Sequence, residues 1–204
     1  MRVVVITGGI GAGKSTASGF LRDKGAIIID ADLVAAQVLE KGSPVLARVA
    51  EVFGPDVLLA DGSLDRAALA RAAFASPEAT ARLNAIVHPA VAREIGPAVA
   101  DLRLMPNPPS AVVLEVPLLA EAPVFAQIAD LVVAIVAPQE LRVARAVQSG
   151  FAEADVRRRL AVQASDAERA VLADVVIVND GSLERFLGEL ERVWSELVAE
   201  GGSR

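Results

Sequence analysis

Gly8-Gly9-Ile10-Gly11-Ala12-Gly13-Lys14-Ser15 matches the pattern G-x-x-x-x-G-K-[ST] at every fixed position. The run before it, Val3-Val4-Val5-Ile6, is continuous and β-branched, so residues 2–6 read as a buried strand. Residues 15–24 read as a helix, and Gly25 stands where a helix-terminating glycine belongs. Four glycines within residues 8–13 let the backbone turn so that successive N–H groups point inward. Those donors, with the positive end of the following helix, suit a chain of phosphates. In such a loop Lys14 reaches the β and γ phosphates of ATP, and the Ser15 hydroxyl ligates Mg²⁺. The alternative is a glycine-rich turn that merely joins strand to helix. A strand before it and a helix after it favour the phosphate loop.

Working outward, residues 26–29 form a second short apolar run that ends at Asp30-Ala31-Asp32. This is a strand–loop–helix–strand unit. Residues 33–104 are patterned as helix almost throughout, punctuated by Gly42-Ser43-Pro44, Gly54-Pro55, Asp61-Gly62 and Ser76-Pro77. Met105-Pro106-Asn107-Pro108-Pro109 is a breaker cluster and reads as a return linker. Buried strands are expected at 111–116, 131–136 and 174–178, and helices at 138–148, 154–164 and 182–199. Five buried strands alternating with helices predict an α/β fold with a parallel sheet covered on both faces. The expected division is a core of residues 1–32 and 105–204 with a helical insertion at 33–104.

Composition is consistent with this. A chain of 204 residues with 53 % apolar and 3 % aromatic side chains builds its core from aliphatic packing. Cysteine is absent, which excludes disulfides and thiolate metal sites. A net charge of −6 argues against sequence-independent nucleic-acid binding, so no nucleic-acid partner is expected. No signal-peptide pattern and no long uncharged apolar stretch stand out. The expectation is a cytoplasmic protein with no membrane partner, monomeric or weakly homo-oligomeric.

Acids after strand two bear on chemistry. In a parallel sheet, ligands bind beyond the C-terminal strand ends. A carboxylate there, Asp32 foremost, can accept the proton of an attacking hydroxyl or hold Mg²⁺ through water. The competing reading is a helix cap, which Asp30 fits better. Glu115, after Val112-Val113-Leu114, is either a Walker-B-like acid or a plain strand end; Glu121 is similar.

The chain resembles the dephospho-CoA kinase family along nearly its whole length. The resemblance is carried by Thr7-Gly8-Gly9-Ile10-Gly11-Ala12-Gly13-Lys14-Ser15-Thr16, Ile29-Asp30-Ala31-Asp32, Phe53-Gly54 and Asp61-Gly62-Ser63-Leu64-Asp65-Arg66. To these add Leu83-Asn84 with His88-Pro89, Val116-Pro117-Leu118-Leu119 with Glu121, Arg159 with Gln163, and Ala173-Asp174 with Asn179. It implies a five-stranded P-loop kinase core, a helical CoA domain at 33–104 and a lid at about 145–165. The implied reaction is ATP-dependent phosphorylation of the ribose 3′-hydroxyl of dephospho-CoA, the last step of coenzyme A synthesis. Lys14 and Asp32 then fall on the phosphate-binding lysine and the catalytic base. Gly9, Gly11, Ala12, Gly13, Ser15, Thr16, Asn179 and Gly181 fall on the ATP side, with Mg²⁺ at Ser15. Arg66, His88 and Leu118 join Asp32 on the substrate side. Without the resemblance His88 reads as a structural histidine, Arg66 as a surface arginine, and Asn179 and Gly181 as an ordinary turn.

One departure matters. The family's lid carries Arg-Asp-Gly where this chain has Gln148-Ser149-Gly150. Positive charge near the transferring phosphoryl normally supplies much of the catalysis. Arg145 lies one helical turn earlier and is the expected substitute; Arg142 and Arg157-Arg158-Arg159 are the others, that run reading also as a solvated helix face. Other readings are a kinase of another small molecule, a nucleotide-binding protein with impaired turnover, and a nucleotide switch. The last is weakened by the lack of an Asn-Lys-x-Asp tetrapeptide.

Overall fold

Val3, Val4, Val5 and Ile6 are wholly buried because their strand, β1 (Arg2–Thr7), runs through the middle of the sheet. The computed structural model describes residues 1–117, 119 and 123–201. Leu118 and Glu121 lie outside the described residues. The other strands are β2 (Ile27–Asp30), β3 (Ala111–Glu115), β4 (Leu131–Val136) and β5 (Val175–Val178). All five are parallel in the order β2-β3-β1-β4-β5. β3 and β4 flank β1, with Val4 opposite both Val113 and Leu131.

Two aspartates start the later strands. Asp130 donates its N–H to the Val3 carbonyl at 2.7 Å, and its carboxylate accepts from the Val3 N–H at 2.7 Å. Asp174 does the same with Val132, at 2.9 and 2.8 Å. Each side chain extends the hydrogen-bond ladder by one step where no strand residue remains to do so.

The edge strands differ from expectation. β2 and β5 read in sequence as buried, but Ile27, Val176 and Val178 are 38 %, 42 % and 46 % exposed. A continuous apolar run marks a strand in a parallel sheet; edge or centre is decided by the strand order, which local sequence does not carry.

Two long amphipathic helices cover one face. α1 (Lys14–Asp23) buries Ala17, Ser18 and Leu21, and Gly25 ends it with φ of 98°. α9 (Leu183–Gly201) buries Phe186, Leu190, Val193, Trp194 and Leu197, a helical spacing that forms one stripe. All of these side chains but Ser18 join Val4, Ile6, Val113 and Ile135 in one core.

The chain divides into two compact units: Ala31–Ala98, and Met1–Asp30 with the described residues from Val99 on. The first holds α2 (Ala31–Val38), α3 (Pro44–Phe53), α4 (Arg66–Ala73) and most of α5 (Pro77–Leu104). Ser43 caps α3 by accepting from Leu46 N–H at 3.0 Å, and Asp65 caps α4 by accepting from Ala68 N–H at 2.9 Å. Asp61 accepts from both the N–H and the hydroxyl of Ser63, which lowers its pKa. So the Asp61–Arg66 stretch is a tight turn followed by a helix cap. Ser76-Pro77 marks the start of α5, which continues through Pro89 and Pro97 although each lacks an N–H for the turn before it. Its buried residues Val87, Ala90, Val91, Ile95 and Val99 keep helical spacing across both prolines.

In the larger unit, α6 (Gln139–Gln148), α7 (Glu153–Val162) and α8 (Asp166–Val171) lie between β4 and β5. α8 was not expected. Its signal was present: Ser165 and Glu168 form a capping box. Among the described residues no helix is long and apolar enough to cross a membrane.

Leu114 lies wholly buried on β3, between β2 and β1. Leu114→Ala should reduce unfolding free energy by about 2–5 kcal/mol. Urea denaturation checks it, with a lower midpoint and an unchanged slope.

Candidate active site

The loop between β1 and α1 begins at the central strand end and closes on the helix start. Gly13 is the residue before α1, with φ of 111° and ψ of 17°, a left-handed conformation that glycine adopts without penalty. Gly11 has φ of 73°. No side chain caps α1 and no acid lies in its first turn. The first turn of α1 thus offers no carboxylate of its own to compete with an anion for its N–H groups. Lys14 lies at the start of α1 with its Nζ 3.3 Å from the Gly9 carbonyl, folded back over the loop. Ser15 and Thr16 are exposed.

The loop's glycines are set by what surrounds them. A Cβ on Gly9 would overlap the Arg142 guanidinium, and one on Gly11 would overlap the Arg142 backbone carbonyl. A Cβ on Gly13 would come 2.5 Å from Asn179 Nδ2. Asn179, just after β5, is 6 % exposed; its Nδ2 donates to the Ala12 carbonyl at 2.8 Å. Arg145 Nη1 and Nη2 donate to the Asn179 carbonyl and Oδ1 at 3.0 and 3.2 Å. Asn179 thus joins loop, strand end and α6 in one hydrogen-bonded group. Gly181 follows, with the Arg185 side chain beside it.

Glu115 ends β3, opposite Asp30 on β2 and Ile6 on β1 in the strand register. It accepts from Ser18 Oγ on α1 at 2.7 Å. This bond ties the helix that begins at the loop to the sheet. Of the arginines named above, Arg157 pairs with Glu140 and Glu153, both at 2.9 Å. Arg158 pairs with Asp155, and the Arg159 guanidinium lies 5.6 Å from the Phe151 ring centre. Those three lie on an exposed helix face and pair within the α6–α7 segment. Arg142 is the exception: it is buried on the apolar side of α6 with Val143 and Ala146.

The structure therefore brings Gly9, Gly11, Ala12, Gly13, Lys14, Ser15, Thr16, Arg145, Asn179 and Gly181 into the larger unit. Asp32, Arg66 and His88 belong to the other. Asp32 is exposed in the first turn of α2, Arg66 is exposed at the start of α4, and His88 is half-buried in α5. Among the described residues no group of three acids or histidines could hold a metal by itself. Ser15 is the candidate ligand, for an ion that takes its remaining ligands from phosphates and water. The 31–98 unit also carries an open groove of about 880 Å³, lined by Val38, Val45, Ile86 and Pro89 with Arg48 and Arg93.

Residues 2–185 match the profile described as dephospho-CoA kinase. The chain belongs to the dephospho-CoA kinase family. A dephospho-CoA kinase of Streptomyces avermitilis is 45 % identical over 202 residues, 97 % of this chain and 95 % of its own length. One of Mycolicibacterium paratuberculosis is 45 % identical over 198 residues, 95 % of this chain but 46 % of that protein. The chain thus spans about half the length of that curated relative. A crystal structure from Thermus thermophilus superposes with a TM-score of 0.77 at 35 % identity, covering 96 % of this chain and 97 % of that one. The five-stranded parallel sheet with its surrounding helices is the P-loop kinase fold.

Gly13→Ala would force a left-handed alanine into the Asn179 amide. It should cost about 1–3 kcal/mol or more of stability and weaken nucleotide binding. Thermal unfolding with and without ATP checks both.

Proposed function

We propose that this chain transfers the γ-phosphoryl group of ATP to the ribose 3′-hydroxyl of dephospho-CoA, completing coenzyme A. The observation that carries the donor side is the glycine loop at an α1 N-terminus with no side-chain cap and no first-turn acid. The acceptor's identity rests on family membership.

Each residue then has a task. Backbone N–H groups at the N-terminus of α1, residues 13–16, hold the β and γ phosphates, and Lys14 neutralises charge between them. The Ser15 hydroxyl would hold Mg²⁺, which would supply positive charge to the phosphates. Asp32 takes the 3′-hydroxyl proton as the new O–P bond forms and the bond to the ADP oxygen breaks. Arg145 supplies the cation that Gln148 cannot; its bonds to Asn179 fix it on α6 beside the loop, leaving other guanidinium donors for phosphate. Asn179 and Gly181 form the nucleotide side of the site.

The acceptor is assigned to the helical unit, with Arg66 and His88 there as its contacts; Leu118, from outside that unit, is the third. The groove there supports this reading: an apolar lining with two arginines, Arg48 and Arg93, against one acid, Glu94, suits a long, partly apolar anionic substrate. Closure over both substrates would exclude water that competes as acceptor.

The test is ADP release from ATP and Mg²⁺ with and without dephospho-CoA. Release that depends on dephospho-CoA supports the reading; ATP binding without it leaves the loop and removes the kinase assignment. Asp32→Asn keeps shape but removes the base, so kcat should fall by about 10²–10⁴-fold with ATP affinity retained. A fully active variant would remove Asp32 from the mechanism. Lys14→Ala should lose transfer and weaken ATP binding together.

A further inference from the structure

Ile10 occupies a position that the phosphate-loop pattern leaves open to any residue. Here it is held at three points by one segment of chain. Its N–H donates to Gln163 Oε1 at 3.3 Å. Its carbonyl accepts from Arg142 Nε at 3.1 Å. Its side chain packs into a small core of Val143, Ala146, Val156 and Leu160, separate from the main one. All of these partners belong to α6, α7 and the residue that ends α7. The tip of the loop is therefore a part of that segment as much as of the β1–α1 turn.

Arg142 is the centre of this grip. It is 6 % exposed, and its guanidinium and backbone fill the spaces at which side chains on Gly9 and Gly11 would lie. Nη1 donates to Asp166 Oδ1 at 2.9 Å. The same oxygen accepts from Arg169 Nη1 at 3.2 Å, and Arg169 is 1 % exposed. Two buried cations thus share one carboxylate. Arg169 Nη2 has no hydrogen-bond partner among the described residues. Burial pushes the Arg142 pKa down, Asp166 pushes it up and the like charge of Arg169 pushes it down again. A guanidinium remains charged all the same. This cluster is poor as a stability device, since a buried cation in excess costs desolvation. It makes sense beside a loop that receives polyphosphate, where the extra charge gains its counter-ion on binding.

We propose that Arg142 is a positioning residue for the phosphate loop: through Ile10, Gly9 and Gly11 it holds the loop in its phosphate-binding shape and couples that shape to the α6–α8 segment. It rests on the ATP-binding part of the function proposed above. It assigns Arg142 no contact with the transferring phosphoryl.

The charge count gives the test its discrimination. Arg142→Met leaves Arg169 and Asp166 as a one-to-one pair, so the free protein should unfold at about the parent's temperature or above it. ATP·Mg²⁺ affinity, read by calorimetry, should nevertheless fall by about tenfold to a hundredfold. Amide exchange across residues 9–13 should speed up, and the KM for dephospho-CoA should stay near the parent's. Arg142→Lys, which keeps charge but not the fork, should recover part of the affinity. Gln163→Leu removes the bond to the Ile10 N–H from a half-exposed position and should weaken ATP less, in the same direction. Unchanged ATP affinity in Arg142→Met would overturn the proposal. If that variant does not fold, parent-like ATP affinity and loop exchange in Gln163→Leu would do the same. A parent chain that binds no ATP would bring down the proposed function and this inference together, whereas parent binding with equally tight variants would bring down this inference alone.

Discussion

At Gly13, with φ of 111°, the loop from the central strand enters α1, and the proposed phosphate site depends on that turn. The turn places the first N–H groups of α1 at the C-terminal end of the sheet, with no acid in the helix's own first turn. It is locked from outside: the Asn179 amide fills the space a side chain would take and bonds the Ala12 carbonyl. Ser18 on the same helix is bonded to Glu115 at the end of β3. The helix dipole is thereby held rigid against the strand ends, which is what preorganised binding of a polyphosphate needs. Much of the rest of the larger unit can be read as support for this corner. β1 must be central for its end to be flanked by strands on both sides, and α9, packed on β5, gives α1 a helical partner.

Charge is distributed to match. A chain of net charge −6 concentrates buried guanidinium groups around one loop. Arg142 and Arg169 lie within the fold, and Arg145 leans on Asn179. The exposed arginines of α7 pair with neighbouring acids or an aromatic ring instead. Local positive potential within an acidic molecule selects a polyphosphate by position rather than by overall attraction.

Much of this corner was legible in sequence because it is local. The Val3–Ile6 run, the glycine spacing and Gly25 specify strand, loop and helix within one short stretch, and the helix end appears where its glycine stands. Strands 3 to 5 were legible for the same reason, as β-branched runs bounded by breakers. What local sequence could not carry was partnership. The edge exposure of β2 and β5 follows from strand order. The path of α5 through Pro89 and Pro97 follows from burial of its Val87–Val99 stripe, which outweighs two lost hydrogen bonds. The short helix α8 is marked in sequence only by Ser165 and Glu168, too few residues to show a helical period. In the site, Arg142 drew notice only as a spare lid cation, because its partners Ile10 and Asp166 lie 132 and 24 residues away. An arginine on the apolar stripe of α6, beside Val143 and Ala146, was the signal. Asn179 came into view through family resemblance, since a lone asparagine after a strand reads as a turn.

The central claim is that ATP held by a phosphate loop of this build passes its γ-phosphoryl group to one hydroxyl of dephospho-CoA, leaving ADP. Phosphorus–proton correlation NMR of the product formed from ATP, Mg²⁺ and dephospho-CoA tests it most directly. The account predicts a new monoester phosphorus coupled to the ribose H3′ proton, with the pyrophosphate bridge unchanged. A phosphoryl on any other oxygen, or no new phosphorus signal while ATP is consumed, would contradict it.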